Sequence, residues 1–254
     1  MDNPAPYTLH SFVGRSGHIA PTDTAHQLVT IGHTAHVAPW RDPSIHSHEH
    51  AEEYYLLLNG ELELLVAGFL ITLKPREILM VRPQVPHAIV AGAGMIEHIG
   101  IRAPASRDKQ PAGEIPRPLP AATQEQEREL QCNWGCRVPL QATMNQNCWL
   151  FGVGSVRFAS AQLTFAYLNF PTVEEASAGI GTRHRLHLHK RSWEYYVVLQ
   201  GTKTLQIENE IVEIRPGEIL EVPPQLKHTL YGRQAPYEGF TFRVPAGFDD
   251  KVEY

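Results

Sequence analysis

The sequence predicts an all-β chain built from two tandem copies of one β unit. Three observations carry that expectation. The first is an internal repeat at a fixed offset of 141 residues. His46–Gly60 (HSHEHAEEYYLLLNG) aligns without a gap on His187–Gly201 (HLHKRSWEYYVVLQG), with seven identities in fifteen positions. The same offset carries Pro75–His87 (PREILMVRPQVPH) onto Pro216–His228 (PGEILEVPPQLKH), with eight identities in thirteen. Two copies in tandem are the economical reading of such self-similarity. The second observation is punctuation: 20 prolines and 19 glycines are spread along 254 residues, which suits many short strands rather than long helices. The third is local patterning, in which short alternating or apolar runs are closed by turn residues.

The elements follow in order. Glu61–Val66 with Phe69–Leu73 reads as a hairpin, and so does Lys203–Glu208 with Ile211–Ile214. Ile78–Val81 and Ile219–Val222 are apolar runs ended by Pro83, Pro86, Pro223 and Pro224, because proline cannot donate to a central ladder. Thr123–Leu130 (TQEQEREL) is the one stretch with helical character, and it follows the proline-studded run Pro104–Pro120. That run suggests an N-terminal unit over 1–110, a linker over 111–124 and a C-terminal unit over 125–254.

Composition excludes several classes. Hydrophobic residues make up 43% and charged residues 19%, so the chain can bury a core and bulk disorder is excluded. The net charge of -5 argues against a nucleic-acid partner, since such a protein carries a broad basic face. The N-terminus has neither a basic start nor an apolar run, and nothing reads as a membrane span. Cys132, Cys136 and Cys148 are odd in number and do not make a disulfide framework, which fits the cytoplasm.

Each copy carries a set with metal-ligand chemistry: His46, His48, Glu53 and His87 in the first, His187, His189, Glu194 and His228 in the second. Two residues at i and i+2 on a strand face the same side. A glutamate on the next strand and a histidine from a returning strand can close on the same point inside a small barrel. Three imidazoles and a carboxylate suit Fe(II), Mn(II), Ni(II), Co(II) or Zn(II), and leave two of six octahedral positions open. His50 extends the first series, so a register using His48, His50 and Glu53 stands beside the one using His46. Arg191 at the matching place in the second copy favours the latter.

These residues, with Gly201, Pro216, Gly217, Glu218 and Pro223, resemble the two motifs of the cupin superfamily, and their duplication resembles a bicupin. The first copy departs at Arg76, where the family has glycine. The resemblance implies two double-stranded β-helix (jelly-roll) barrels, with a divalent transition metal at each His/Glu set, up to two per chain. Fe(II) or Mn(II) is the favoured metal. It also implies a small-molecule substrate, and a homodimer is compatible with it.

Strand alternation adds Tyr55 and Tyr196, two residues after each ligand glutamate, and Arg185, two before His187, as candidate catalytic side chains. A phenol near a metal can orient substrate or move a proton, and it can equally be barrel packing. An arginine there suits a carboxylate-bearing substrate, or reaches solvent at the strand end. Arg102 and Arg243 end equivalent strands, which suggests a shared structural role. The functional expectation is a metal-dependent enzyme on a carboxylate- or carbonyl-bearing molecule, with dioxygenase-type oxidation first. A non-redox isomerase or tautomerase, and a non-catalytic small-molecule or sugar binder, stand as alternatives.

Overall fold

The computed structural model describes all residues except 1–4, 21–27, 39–40, 106, 117–120, 141–148, 154–157, 178–184 and 248–249. In chain order the strands of the first half are β1 (Thr8–Ser11), β2 (Gly17–Ala20), β3 (Thr30–Val37), β4 (Ile45–His48), β5 (Glu52–Val66), β6 (Phe69–Leu73), β7 (Glu77–Val81), β8 (His87–Ala103) and β9 (Lys109–Gly113). Helix α1 (Gln124–Glu129) and β10 (Gly135–Pro139) follow. The second half holds β11 (Trp149–Gly152), β12 (Phe158–Ala159), β13 (Thr164–Phe170), α2 (Val173–Ser177), β14 (His187–His189), β15 (Trp193–Ile207), β16 (Glu210–Ile214), β17 (Glu218–Val222), β18 (His228–Val244) and β19 (Lys251–Glu253).

The strands form two barrels, each a mostly antiparallel jelly roll around its own core. In the N-terminal barrel the path runs β10-β7-β5-β8-β3-β2, with β4, β6 and β9 attached. In the C-terminal barrel it runs β1-β17-β15-β18-β13-β11-β12, with β14, β16 and β19 attached. Tyr55, Leu57, Leu62, Leu64, Leu79 and Ile96 pack within the first core, and Tyr196, Val198, Leu205, Leu220, Leu230 and Tyr237 within the second. Burying each large aliphatic side chain contributes roughly 1.5–3 kcal/mol.

The hairpins expected at residues 61–73 and 203–214 are β5–β6 and β15–β16, the latter turning one residue earlier than expected. The long strands β5 and β15 bend at Gly60 and Gly201, with φ of 80° and 71°. A Cβ at Gly60 would sit 2.5 Å from the Met95 carbonyl oxygen, so only glycine fits where the partner strand crosses. Arg76 does adopt a left-handed φ, 64°, at the position where Gly217 has 82°. It meets that backbone demand with a side chain, which donates from a guanidinium nitrogen to the Leu58 carbonyl at 2.9 Å.

The boundaries differ from the sequence expectation. One compact unit is Gly14–Ala142 and the other joins Met1–Val13 to Thr143–Tyr254. Two short strands account for the difference. β1 pairs with β17, so Thr8–Ser11 belong to the C-terminal barrel. β10 pairs with β7, so the stretch after the expected linker belongs to the N-terminal barrel. The span 111–124 also departs from a free linker. Its first residues finish β9, which pairs with β4. Near its end Thr123 caps α1 in a reciprocal box with Gln126, and Gln124 is already the first residue of that helix. Among the described residues no helix is long and apolar enough to cross a membrane.

Two candidate metal centres

In the N-terminal barrel β4 places His46 directly opposite His87 on β8. Neighbouring β5 brings Glu53 between Val81 and Arg102. Glu53 Oε2 lies 2.8 Å from His87 Nε2, 3.1 Å from His48 Nε2 and 3.6 Å from His46 Nε2. In the C-terminal barrel His187 opposes His228, and Glu194 lies between Val222 and Arg243. Glu194 Oε2 is 2.8 Å from His228 Nε2 and 3.3 Å from His189 Nε2. In each set, one ligand atom from every residue lies within 4.8 Å of the others. The two sets are near copies. Ring centroids in the first are 5.4, 4.4 and 5.8 Å apart, and in the second 5.3, 4.4 and 5.9 Å.

The sets fit a cation on their own chemistry. The Nδ1 atoms of His87, His187 and His228 lie 2.8–2.9 Å from the carbonyl oxygens of Val85, Arg185 and Leu226. Those of His48 and His189 lie 3.0 Å from carboxylate oxygens of Asp108 and Asp250. Carbonyls and carboxylates only accept, so each of these Nδ1 atoms donates, and the neutral ring then aims a bare Nε2 lone pair at the glutamate. Lone pairs and a carboxylate converging in a buried place repel unless a positive charge joins them. His46 Nδ1 differs: it is buried and has no hydrogen-bond partner among the described residues.

The carboxylates compete for positive charge: burial lowers His48 and His189, but Glu53 with Asp108, and Glu194 with Asp250, outweigh it and raise both. Burial pushes the Glu53 carboxyl up, but the His46, His48 and His87 rings that face it outweigh that and hold it well below the usual range. Glu194 behaves likewise, burial being outweighed by His189 and His228. Burial is the main cause that brings His187 down to about 4, which keeps its imidazole neutral. Both carboxylates are therefore charged at neutral pH.

Residues 178–234 match the family model described as Cupin domain. The chain aligns with the oxalate decarboxylase of Bacillus subtilis, as a single-residue variant, at a TM-score of 0.65 and 10% identity, covering 99% of this chain and 80% of that one. It aligns with the salicylate 1,2-dioxygenase of Pseudaminobacter salicylatoxidans at a TM-score of 0.64 and 10% identity, covering 96% and 85%. The chain shares the fold of these two proteins. A curated relative, an uncharacterized protein of Methanocaldococcus jannaschii, is 30% identical over 59 residues, 23% of this chain. The match spans 47% of that relative's length, about half of it.

The other candidate residues fall in different places. Tyr55 and Tyr196 are buried, each with its ring 6.2 Å from the ring of His87 or His228. Burial and the adjacent carboxylate, Glu53 or Glu194, push both phenols well above their ordinary value, so they stay protonated and donate to that glutamate. Arg185 is exposed, and its contribution to the cluster is the backbone carbonyl that orients His187. Arg183, which alternation puts on the same strand face as Arg185, lies outside the described residues. His50 is exposed, with 69% of its side chain accessible, so the His46 register is the one the fold builds. Arg102 and Arg243 are the cross-strand neighbours of Glu53 and Glu194, which places guanidinium groups beside both centres.

Asp108 and Asp250 were not picked out from the sequence. Each orients a ligand histidine through one oxygen. The other accepts backbone N–H groups, from His50 and Ala51 in one barrel and from Ser192 in the other. The signal was present as the pair Asp-Lys at 108–109 and 250–251, but its offset is 142 rather than 141. A gapless extension of the repeat therefore passes over it.

Proposed function

We propose that this protein is a metal-dependent bicupin enzyme acting on a small carboxylate- or carbonyl-bearing molecule, with Fe(II) or Mn(II) as its metal and dioxygenase-type oxidation as its reaction. The observation that carries the reading is the pair of intact clusters, each with three inward Nε2 atoms and an ionised glutamate. His46, His48, Glu53 and His87 would hold one ion, and His187, His189, Glu194 and His228 the other. A bound divalent metal of this kind polarises a substrate oxygen and, as iron or manganese, supports one-electron chemistry with O2.

The chain's own groups do the positioning. Asp108 and Asp250 fix the orientation of His48 and His189. Tyr55 and Tyr196 hold the ligand glutamates by donating to them. The aliphatic walls around each centre exclude water, which strengthens every charge interaction inside. The neighbours support the choice of chemistry: one is an oxalate decarboxylase with Mn(II) centres, and another a salicylate dioxygenase.

The test is elemental analysis of untagged protein purified without chelator, followed by oxygen uptake against a panel of small carboxylates and dicarbonyls. Bound iron or manganese with substrate-dependent oxygen consumption is the expected result. Turnover that continues without oxygen would move the protein to the non-redox class. A chain that takes up no metal after anaerobic reconstitution would overturn the reading.

A further inference from the structure

The two metal clusters are near copies, but the arginines beside them are not used alike. Thr30, Arg102 and Glu53 stand in one row across β3, β8 and β5. Thr164, Arg243 and Glu194 stand in the matching row across β13, β18 and β15. Residues directly opposite one another share a sheet face, so both arginines start from the inward face that carries the cluster. Arg243 is engaged. It is 4% exposed, its Nη1 lies 3.4 Å from His189 Nδ1, and its guanidinium carbon lies 4.8 Å from the centre of the Trp149 ring. Arg102 is half-buried and makes no hydrogen bond or ion pair among the described residues, and its Nε is buried without an acceptor. Its charge nevertheless acts on both His48 and Tyr55, so the guanidinium stands on the cluster's side of the barrel. A partly desolvated guanidinium without an anion suits a carboxylate that docks on its fork.

The next row supplies the space. It is Gly32, Gly100 and Tyr55 in the N-terminal barrel, and Ala166, Thr241 and Tyr196 in the C-terminal one. Gly32 and Gly100 are half-buried. A Cβ built at Gly100 would meet no atom within 4 Å, and one at Gly32 would meet only the Gly17 carbonyl oxygen, at 3.6 Å. Neither glycine has a left-handed φ, so the backbone does not demand glycine there. Glycine inside a strand often marks a place where a ligand comes close. Here the pair leaves open room on the inward face, between His98 and Arg102 along β8 and beside Tyr55 across it. The Tyr55 ring is 6.2 Å from the rings of both His87 and His98, so one aromatic wall joins that room to the cluster. Asp42, the other carboxylate that acts on Tyr55, is occupied: its Oδ2 accepts from the Ile89 backbone N–H at 2.7 Å. The C-terminal barrel fills the matching place. Thr241 is 5% exposed, and Lys203 Nζ donates to its Oγ1 at 3.3 Å.

We propose that the N-terminal centre takes the substrate, and that the substrate is a 2-hydroxy or 2-oxo acid: Arg102 holds its carboxylate, the neighbouring oxygen faces the His46, His48, Glu53 and His87 set, and its side group lies in the room over Gly32 and Gly100 against Tyr55. The close spacing of the two oxygen groups follows from the register, since Arg102 is the direct cross-strand neighbour of a cluster residue. The C-terminal barrel, with Arg243 engaged and Thr241 and Lys203 in the matching room, does not offer this subsite. This deepens the enzyme reading above and rests on it for the metal.

The test uses manganese-loaded His189→Ala protein, in which only the N-terminal centre keeps all its ligands. Calorimetric titration is run with mandelate, with its neutral amide, and with glycolate, the 2-hydroxy acid that lacks the phenyl group. Mandelate should bind about tenfold or more tighter than the amide, and Arg102→Gln should erase that preference. Arg102→Lys, which keeps the charge and loses the fork, should retain part of it. Gly100→Thr copies the C-terminal residue into the open room. It should weaken mandelate about tenfold and glycolate by about twofold at most. Elemental analysis should find manganese at the same level in every variant, and mandelate should change the Mn(II) resonance spectrum of the parent. If Arg102→Gln fails to load manganese, the Arg102→Lys and Gly100→Thr arms decide. A preference for mandelate over the amide that survives in Arg102→Gln would overturn the proposal. Equal losses of mandelate and glycolate in Gly100→Thr would do so too, as would a loaded parent that binds neither acid. Full mandelate affinity in His48→Ala protein would place the site in the other barrel and overturn it as well. A chain that takes no manganese but binds mandelate through Arg102 would sink the enzyme reading and leave the subsite standing.

Discussion

At the residue scale, the second carboxylate behind each cluster gives the sharpest expectation. Asp250 Oδ1 holds His189 Nδ1 at 3.0 Å, and its other oxygen accepts from the Ser192 backbone N–H at 2.9 Å. Asp250→Ala frees the ring to rotate and removes the charge that raises its basicity. Metal affinity at the C-terminal centre should then fall by about 10–100-fold. Asp108→Ala should do the same at the N-terminal centre. Competition with a chelator of known affinity measures both, and an unchanged constant would show that packing alone orients the histidines. His98 carries a different expectation. Burial, with the nearby His33 and His36, brings it down to about 4 from 6.5. The folded protein therefore keeps His98 neutral where the unfolded chain protonates it. The unfolded state binds more protons below pH 6.5, so stability should fall as pH drops from 6.5 toward 4, by on the order of 3 kcal/mol for this group. His98→Phe should flatten that part of the stability–pH curve in denaturant titrations run beside the wild type. A curve of identical slope would remove His98 as a cause.

At the scale of the element, the strand bends separate two kinds of glycine. Gly68, in the β5–β6 turn, has φ 91° and open space around its α-carbon. Gly68→Ala should cost only the left-handed backbone penalty, about 1–2 kcal/mol. Gly60 has φ 80° and backbone oxygens of Met95 and Ala93 at 2.5 and 3.0 Å from any Cβ. Gly60→Ala should therefore lower the melting temperature clearly further than Gly68→Ala, and equal shifts would place the bend elsewhere. Such elements were legible in the sequence because their signals are local. The hairpins came from alternation, the ends of β7 and β17 from proline, and the helix from the run Thr123–Leu130. The eight cluster residues were legible because spacing of two on a strand forces a shared face. β1 and β10 were not, since four or five residues carry too little pattern to say which strand they join. Their partners, β17 and β7, lie more than 200 and more than 50 residues away in sequence.

At the scale of the whole molecule, the chain's ends and its repeat do not divide at the same place. The first residues belong to the second barrel. β1 pairs with β17 from Thr8 opposite Glu221 to Ser11 opposite Glu218, and the Phe12 backbone N–H donates to the Gly217 carbonyl at 2.8 Å. Phe12 is 4% exposed, so the arm contributes a buried aromatic as well as a ladder. β17 otherwise ends its sheet, and it runs from Glu218 to Val222, beside the strand that carries Glu194. Removing residues 1–13 would strip the arm from that strand and leave an open edge with unpaired backbone groups. The N-terminal barrel loses nothing, because the compact unit that holds its cluster begins at Gly14. The truncated chain should therefore show lower hydrogen-exchange protection in β17 and β15, and weaker metal retention at the His187 set than at the His46 set. Pairing the truncation with His48→Ala, which empties the N-terminal centre, lets elemental analysis read the C-terminal centre alone. Equal loss of protection in both barrels would mean that the arm steadies the chain as a whole. Loss confined to β17 and β15 would establish that a chain end far from the second cluster in sequence holds its scaffold in register.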